Sequence, residues 1–320
     1  MVKAFDFIRK RWFMFGLAAV CAATLIDTTG AVAEVGKWFK SRRGADAVIF
    51  LIFLASGLVL EANQIKKGIQ DVRGTAVALV IIFVVAPVVA YGSTMLPMDP
   101  GVRIGLFLVA VMPTTLTSGV VMTVAAGGNM AHALLITILA SGLSVFTIPL
   151  SLGWLLGIGG GDGAVSIEKG RMMVQIALLV LVPLFIGLMA KPKSPVITAS
   201  LQKGVPIFNQ SMILAIVWMA LSGAREAVLS GGAETLYVLA LSFLYHGALL
   251  ASAFLSTRLF RLGPGRRQSV IFMGGQKTLP LSILLQTTLF PEYGLALAFC
   301  VIHHFVHLMM DGYLVHRLGR

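Results

Sequence analysis

Ten apolar stretches of roughly membrane-crossing length follow one another along this 320-residue chain, at 12–30, 47–60, 75–96, 103–126, 130–157, 172–190, 206–229, 235–257, 268–290 and 293–316. A helix needs about 20 apolar residues to cross the hydrocarbon core of a bilayer, and tilt or re-entrant breaks widen that range. So many runs leave too little polar surface for a water-soluble domain. The composition agrees: 58% of residues are apolar and 12% charged, where soluble chains carry about 25% charge. The 34 glycines have no three-residue period, which excludes collagen, and Cys21 and Cys300 both fall inside apolar runs, which excludes a disulfide scaffold. The expected fold is therefore an all-α polytopic membrane protein. Lys3, Arg9, Lys10 and Arg11 could open a signal peptide. No small-x-small cleavage site follows the first run, however, so that run reads as a crossing.

The net charge of +12 raises the question of nucleic acid, but the basic residues sit in short loops and form no compact stripe with interleaved aromatics. They set sidedness instead. With ten crossings and a cytoplasmic N-terminus, sixteen Lys and Arg fall inside and eight outside, with Lys37, Lys40, Arg42 and Arg43 as an outside exception. This predicts both termini in the cytoplasm. The domain reading is a cytoplasmic N-terminus at 1–11, a first five-helix block at 12–157, a glycine-rich linker at 158–171, a second block at 172–316 and a tail at 317–320. Five crossings per block place the second upside down relative to the first. That is an inverted repeat, the common plan of secondary transporters.

The fourth crossing of each block is interrupted. In the first, Gly105 to Met112 runs into Pro113-Thr114-Thr115-Leu116-Thr117-Ser118-Gly119 before Val120 to Ala126 resumes. Proline removes a donor and pushes its predecessor out of the helical region, and the hydroxyls offer partners to the freed groups. One reading is a kinked helix whose hydroxyls bond back to their own carbonyls. The other is two half-helices whose ends meet a ligand near the midplane. In the second block, Val270 to Met273 runs into Gly274-Gly275-Gln276-Lys277-Thr278-Leu279-Pro280. A lysine at mid-crossing costs about 2.5–3.5 kcal/mol on insertion scales, so it needs a cavity, a partner or a function. Snorkelling from a helix that starts late is the alternative.

The pairing of the Met112–Asn129 stretch with Phe272 to Leu279 resembles the bile-acid:sodium symporter superfamily, and more narrowly its SBF-like branch, which includes the orphan solute carrier family 10 member 7 and bacterial relatives. Gly127-Gly128-Asn129 and Lys277-Thr278-Leu279 are the most specific parts. The resemblance, over about 12–316, implies ten helices in an inverted repeat, a mobile core domain holding both broken helices, and a flatter panel domain. It places the superfamily's sodium-coordinating region on Ser118, Gly119, Asn129 and Thr137 in the first half and on Gln276, Lys277 and Thr278 in the second. This chain departs from that pattern: Phe272 and Met273 stand where the bile-acid carriers have an acidic residue, and Lys277 where they have asparagine. Two-sodium symport of bile acids is therefore not carried over. The ammonium is instead expected in the place of a coupling cation, and the half-helix N-termini together with Lys277 are expected to favour an anionic substrate. A lysine that loses its proton in one conformation would make the protein proton-coupled.

On the last helix His303, His307 and Asp311 recur at four-residue steps, with His304 beside them. Metal binding, polar packing and a proton or substrate path all fit that spacing. The resemblance picks out His304, and Asp311, the only carboxylate well inside a crossing, is a candidate partner for Lys277. Asn209, Gln210, Tyr245 and His246 read as packing.

The functional expectation is a secondary transporter for a small or amphipathic organic anion, with Na+ or H+ coupling open, acting as a monomer or homodimer without nucleic acid or a resident cofactor. The expected site comprises Thr114, Thr115, Thr117, Ser118, Asn129, Thr137, Ser141, Gln276, Lys277, Thr278 and His304. The alternative is a non-transporting membrane regulator of ion handling, calcium included. An enzyme is not expected, since no Gly-x-Ser-x-Gly elbow, paired catalytic aspartate motif or complete zinc motif occurs.

Overall fold

A computed structural model describes residues 12–60, 71–159, 168–192 and 194–318. The N-terminal segment 1–11, most of the glycine-rich linker and the last two residues of the tail lie outside the described residues. Every regular element among the described residues is helical.

Trp12–Ile26 forms α1 and Ala31–Ser41 forms α2, their axes 108° apart. Asp27 makes the corner, accepting from Thr29 N at 3.0 Å and Val32 N at 2.8 Å. The Thr29 hydroxyl donates to the same carboxylate at 2.6 Å. Gly30 supplies a left-handed turn at φ 74°, which glycine adopts without steric cost. Residues 31–41, expected as part of an outer loop, are thus a helix, because Val32, Val35, Trp38 and Phe39 give it an apolar stripe.

Gly44–Val59 is α3 and Val72–Ser93 is α4, the latter capped by Asp71, which accepts from Gly74 N at 3.0 Å. Within α4, Ile81–Val85 is a π segment just ahead of Pro87. Pro100–Ala110 is α5, capped by Asp99, and Ser118–Ala125 is α6. Then follow α7 (Met130–Gly159), α8 (Lys169–Met189, with a π segment before Pro183), α9 (Pro195–Ser230) and α10 (Gly232–Leu259). The second interrupted stretch is α11 (Arg266–Gly275) followed by α12 (Leu279–Leu289), and Gly294–Leu318 is α13.

Six helices, α4, α7, α8, α9, α10 and α13, are long and apolar enough to cross a membrane, or seven if the bent α1–α2 pair counts as one. The helices flanking the two breaks, α5, α6, α11 and α12, are each too short to be counted among them. On α8, Val174, Leu178, Phe185 and Met189 point outward on one face, as a lipid-facing stripe must.

Two layers pack together. In one, α9 carries α1, α2 and α3, and α3 crosses the second half of α8. Gly57 and Gly187 meet at that crossing, and a Cβ on either would strike the opposing backbone. In the other layer α13 packs on α5 and α10, while α4, α6, α7 and α10 surround α11. Val77, Ile81, Ile136, Ala253, Val270 and Met273 form a separate small core around α11.

Candidate functional site

The two breaks touch. Thr278 N donates to Pro113 O at 3.0 Å, joining the unwound segment after α5 to that after α11. From this junction the side chains diverge into two sets.

The first set surrounds Lys277, which is 2% exposed. Its ammonium donates to the carbonyls of Ile82 at 2.7 Å, Ala110 at 2.9 Å and Met112 at 2.9 Å. Each acceptor is free for a local reason. In α4, Ala86 N bonds Ile81 O, so Ile82 O loses its usual partner, and the next candidate, Pro87, has no N–H. Ala110 and Met112 lie where α5 ends, and the C-terminal carbonyls of a helix have no partners inside it. An ammonium has three donors and no acceptor, so the match is complete and the lysine is not snorkelling.

The second set centres on Gln276. Its Oε1 accepts from Thr115 Oγ1 at 2.6 Å and lies 3.0 Å from Ser118 Oγ, while Thr115 Oγ1 accepts from Gly119 N at 2.9 Å. Its Nε2 donates to Asp311 Oδ2 at 2.8 Å and approaches Met122 Sδ at 3.1 Å. Asp311, wholly buried, also holds His246 Nε2 at 3.0 Å from Oδ1. The conjectured Lys277–Asp311 pair is thus overturned. Three freed carbonyls satisfy the lysine, and an amide and an imidazole satisfy the carboxylate.

Beside the junction a small cleft is lined by Thr115, Thr117, Ser118, Thr278, Asn209 and His304, with Phe13 and Phe53 closing it. The N-termini of α6 and α12 both end there. It shares Leu116, Thr117 and Asn209 with a cavity of about 430 Å³ walled by Val120, Val121, Leu134, Thr137 and Val205. Asn209 donates to Ser56 Oγ at 2.9 Å, and among the described residues its Oδ1 has no partner. A wider recess of about 850 Å³, with Arg43, Asp46, Glu168 and Arg171 on its rim, opens at the ends of α3, α8 and α12.

Among the residues expected at the site, Thr115, Thr117, Ser118, Gln276, Lys277, Thr278 and His304 gather at the junction or cleft. Thr137 lines the larger cavity while bonding back to Ala133 O at 2.9 Å, and Ser141 is buried one turn further along α7. Thr114 is buried and lines neither cavity. Asn129 sits elsewhere, at the start of α7, where its Oδ1 accepts from His132 N at 3.1 Å and its N–H donates to Gly265 O at 3.0 Å. Asn209 and His246 belong to the site although they read as packing. Asn209 stands three residues after Pro206 on an apolar helix, the one sequence hint available.

Comparison with known proteins bears on this geometry. A family model described as the SBF-like CPA transporter family matches residues 11–320. The chain is 28% identical to the probable sodium/metabolite cotransporter BASS4, chloroplastic, of Oryza sativa subsp. indica, over 97% of this chain and 75% of that protein. It is 26% identical to the putative symporter YfeH of Escherichia coli K12, over 86% of this chain and 83% of that one. It is also 28% identical to sodium/bile acid cotransporter 7-B of Xenopus laevis, over 56% and 52%. Two touching breaks that expose freed backbone groups, six apolar helices and a match over almost the whole length lead to one assignment: this multi-pass membrane protein belongs to the SBF-like CPA transporter family.

Proposed function

We propose that the chain is a ten-crossing, inverted-repeat secondary transporter for a small amphipathic organic anion. The observation that carries this reading is the convergence of two helix N-termini, at Ser118 and Leu279, on one cleft that shares walls with an apolar cavity. A helix N-terminus presents unpaired N–H groups and positive dipole potential. The anionic group binds at Thr117, Ser118 and Thr278, with Asn209 beside it, and the apolar body lies along Leu116, Val121, Leu134 and Val205. Lys277 does not touch the anion. It holds the junction as a fixed cation among three carbonyls, in the place of a transported one. The rim residues Leu60, Met130 and Gln202 lie next to the segments expected in the cytoplasm, so the cavity is inward-facing, with both termini on that side of the cell membrane.

Relatives named as sodium/metabolite and sodium/bile acid cotransporters set the probes. Proteoliposomes carrying the whole chain are offered radiolabelled pyruvate and taurocholate, with and without a Na+ gradient. Uptake of at least one is expected, and Thr117→Val or Asn209→Leu lowers its kcat/KM about tenfold, equivalent to about 1.4 kcal/mol. Flux of neither probe above empty vesicles, or full flux through both variants, overturns the reading.

A further inference from the structure

The Asp311 network does not stop at the junction. His307 Nδ1 lies 3.9 Å from Asp311 Oδ2, and its Nε2 is 2.8 Å from His304 Nδ1. His304 is 3% exposed, and among the described residues its Nε2 has no partner, although the side chain lines the cleft. A path of polar atoms thus leaves the cleft at His304 and passes through His307, Asp311 and Gln276. It returns to the cleft at Thr115 and Ser118, which line the same space.

The path uses one assignment of the imidazole protons. His307 Nδ1 faces Asp311 at 3.9 Å without a hydrogen bond, and an ionised carboxylate only accepts, so the assignment that lets the ring engage the acid carries the His307 proton on Nδ1. Its Nε2 then accepts from His304 Nδ1–H, which leaves a lone pair on His304 Nε2 aimed at the cleft. We propose that His304, His307 and Asp311 form a proton relay that takes one proton from the cleft and delivers it to the Asp311 carboxylate. The proton binds His304 Nε2, the proton on His304 Nδ1 passes to His307 Nε2, and the proton on His307 Nδ1 passes to Asp311 Oδ2. The result is a neutral carboxylic acid, with both imidazoles neutral and in the opposite tautomer. One proton enters and none is lost. The last transfer requires the 3.9 Å between His307 Nδ1 and Asp311 Oδ2 to close, and such contacts are often long before the working complex forms.

The groups facing this relay are few. From α10, His246 holds Asp311 Oδ1, and Tyr245 donates to Ala86 O at 3.2 Å. On α13, His303 stacks on Phe299 at 6.2 Å and lies 5.7 Å, between ring centroids, from His307. From the second break, the Lys277 ammonium is spent on its carbonyls, and the Lys277 backbone is a hydrogen-bond neighbour of His304. From α1, Phe13 sets its ring edge against His304 at 6.3 Å. Asp311 is the one acid among them, so it is the terminus of the relay.

The consequence for transport runs through Gln276. Protonated Asp311 is a weaker acceptor for Gln276 Nε2 than the carboxylate, because charge-assisted bonds are about twice as strong. A loosened Gln276 relaxes its hold on Thr115 and Ser118 at the N-terminus of α6, where the anion is proposed to bind. This consequence rests on the transporter reading, whereas the relay itself does not.

The test uses the proton alone as probe. Infrared difference spectra of the whole reconstituted chain after a pH drop from 8 to 5 are expected to show a protonated carboxyl C=O band, together with imidazole tautomer changes. The band disappears in Asp311→Asn, reappears shifted in Asp311→Glu, and forms at least about tenfold more slowly in His304→Gln. Absence of the band from the unmodified chain, which needs no variant to fold, overturns the relay. So does an unchanged rate in His304→Gln. Anion flux without a carboxyl signal discards the relay and keeps the transporter, and a carboxyl signal without flux does the reverse.

Discussion

Lys277 is legible in the sequence and its partners are not. A lone ammonium inside an apolar run announces itself, but the carbonyls of Ile82, Ala110 and Met112 carry no residue-type signature. Opposite charge drew Asp311 toward Lys277 on sequence grounds, and the backbone decided otherwise. The amide of Gln276 and the imidazole of His246 are equally ordinary residues until the fold puts them against Asp311. Replacing the lysine tests the accounting. Lys277→Met leaves three buried carbonyls without a donor, at about 1–3 kcal/mol each. The midpoint of thermal unfolding in detergent is expected to drop by many degrees, and an unchanged midpoint would contradict the assignment.

Among elements, α4 shows how one residue reaches across the molecule. Pro87 gives the helix its π segment, and the π segment gives Lys277 the Ile82 carbonyl. Pro87→Ala restores the missing N–H and lets α4 rewind, so that Ala86 N reclaims Ile82 O. Removing a proline from a helix ordinarily stabilises it. Here Pro87→Ala is expected to lower the unfolding midpoint in the native chain and to raise it in the Lys277→Met background. A double-mutant cycle should return a coupling of about 0.5–3 kcal/mol, and simple additivity would refute the link. The element the sequence misread is α2. Its charges looked like an outer loop, but Trp218 Nε1 donates to Val32 O at 3.1 Å and Arg42 lies 4.5 Å above Trp38. An amphipathic helix lying along the surface carries positive charge as readily as a loop does, so the count of charges could not tell them apart.

For the whole molecule, the apolar runs located nearly every helix, since length and hydropathy set where backbone groups must satisfy one another. The layering was not readable, because it depends on close approaches such as Gly57 against Gly187, where a missing Cβ matters and no periodicity shows it. Gly187→Val is expected to part α3 from α8 and lower stability by about 1–3 kcal/mol, measured as the loss of monodisperse protein on heating. Retention of the native profile would show that the crossing tolerates bulk.

The carbonyl cage around Lys277 also bears on the order in which the chain enters the membrane. Residues 82, 110 and 112 are synthesised well before residue 277, so every acceptor the lysine needs belongs to the part made first. Offered to the insertion machinery alone, the 266–289 segment carries an unshielded cation into lipid at about 2.5–3.5 kcal/mol and should stay largely outside. Offered after α4 and α5, it finds its counter-dipoles waiting. The first half would then act as an intramolecular chaperone for the second.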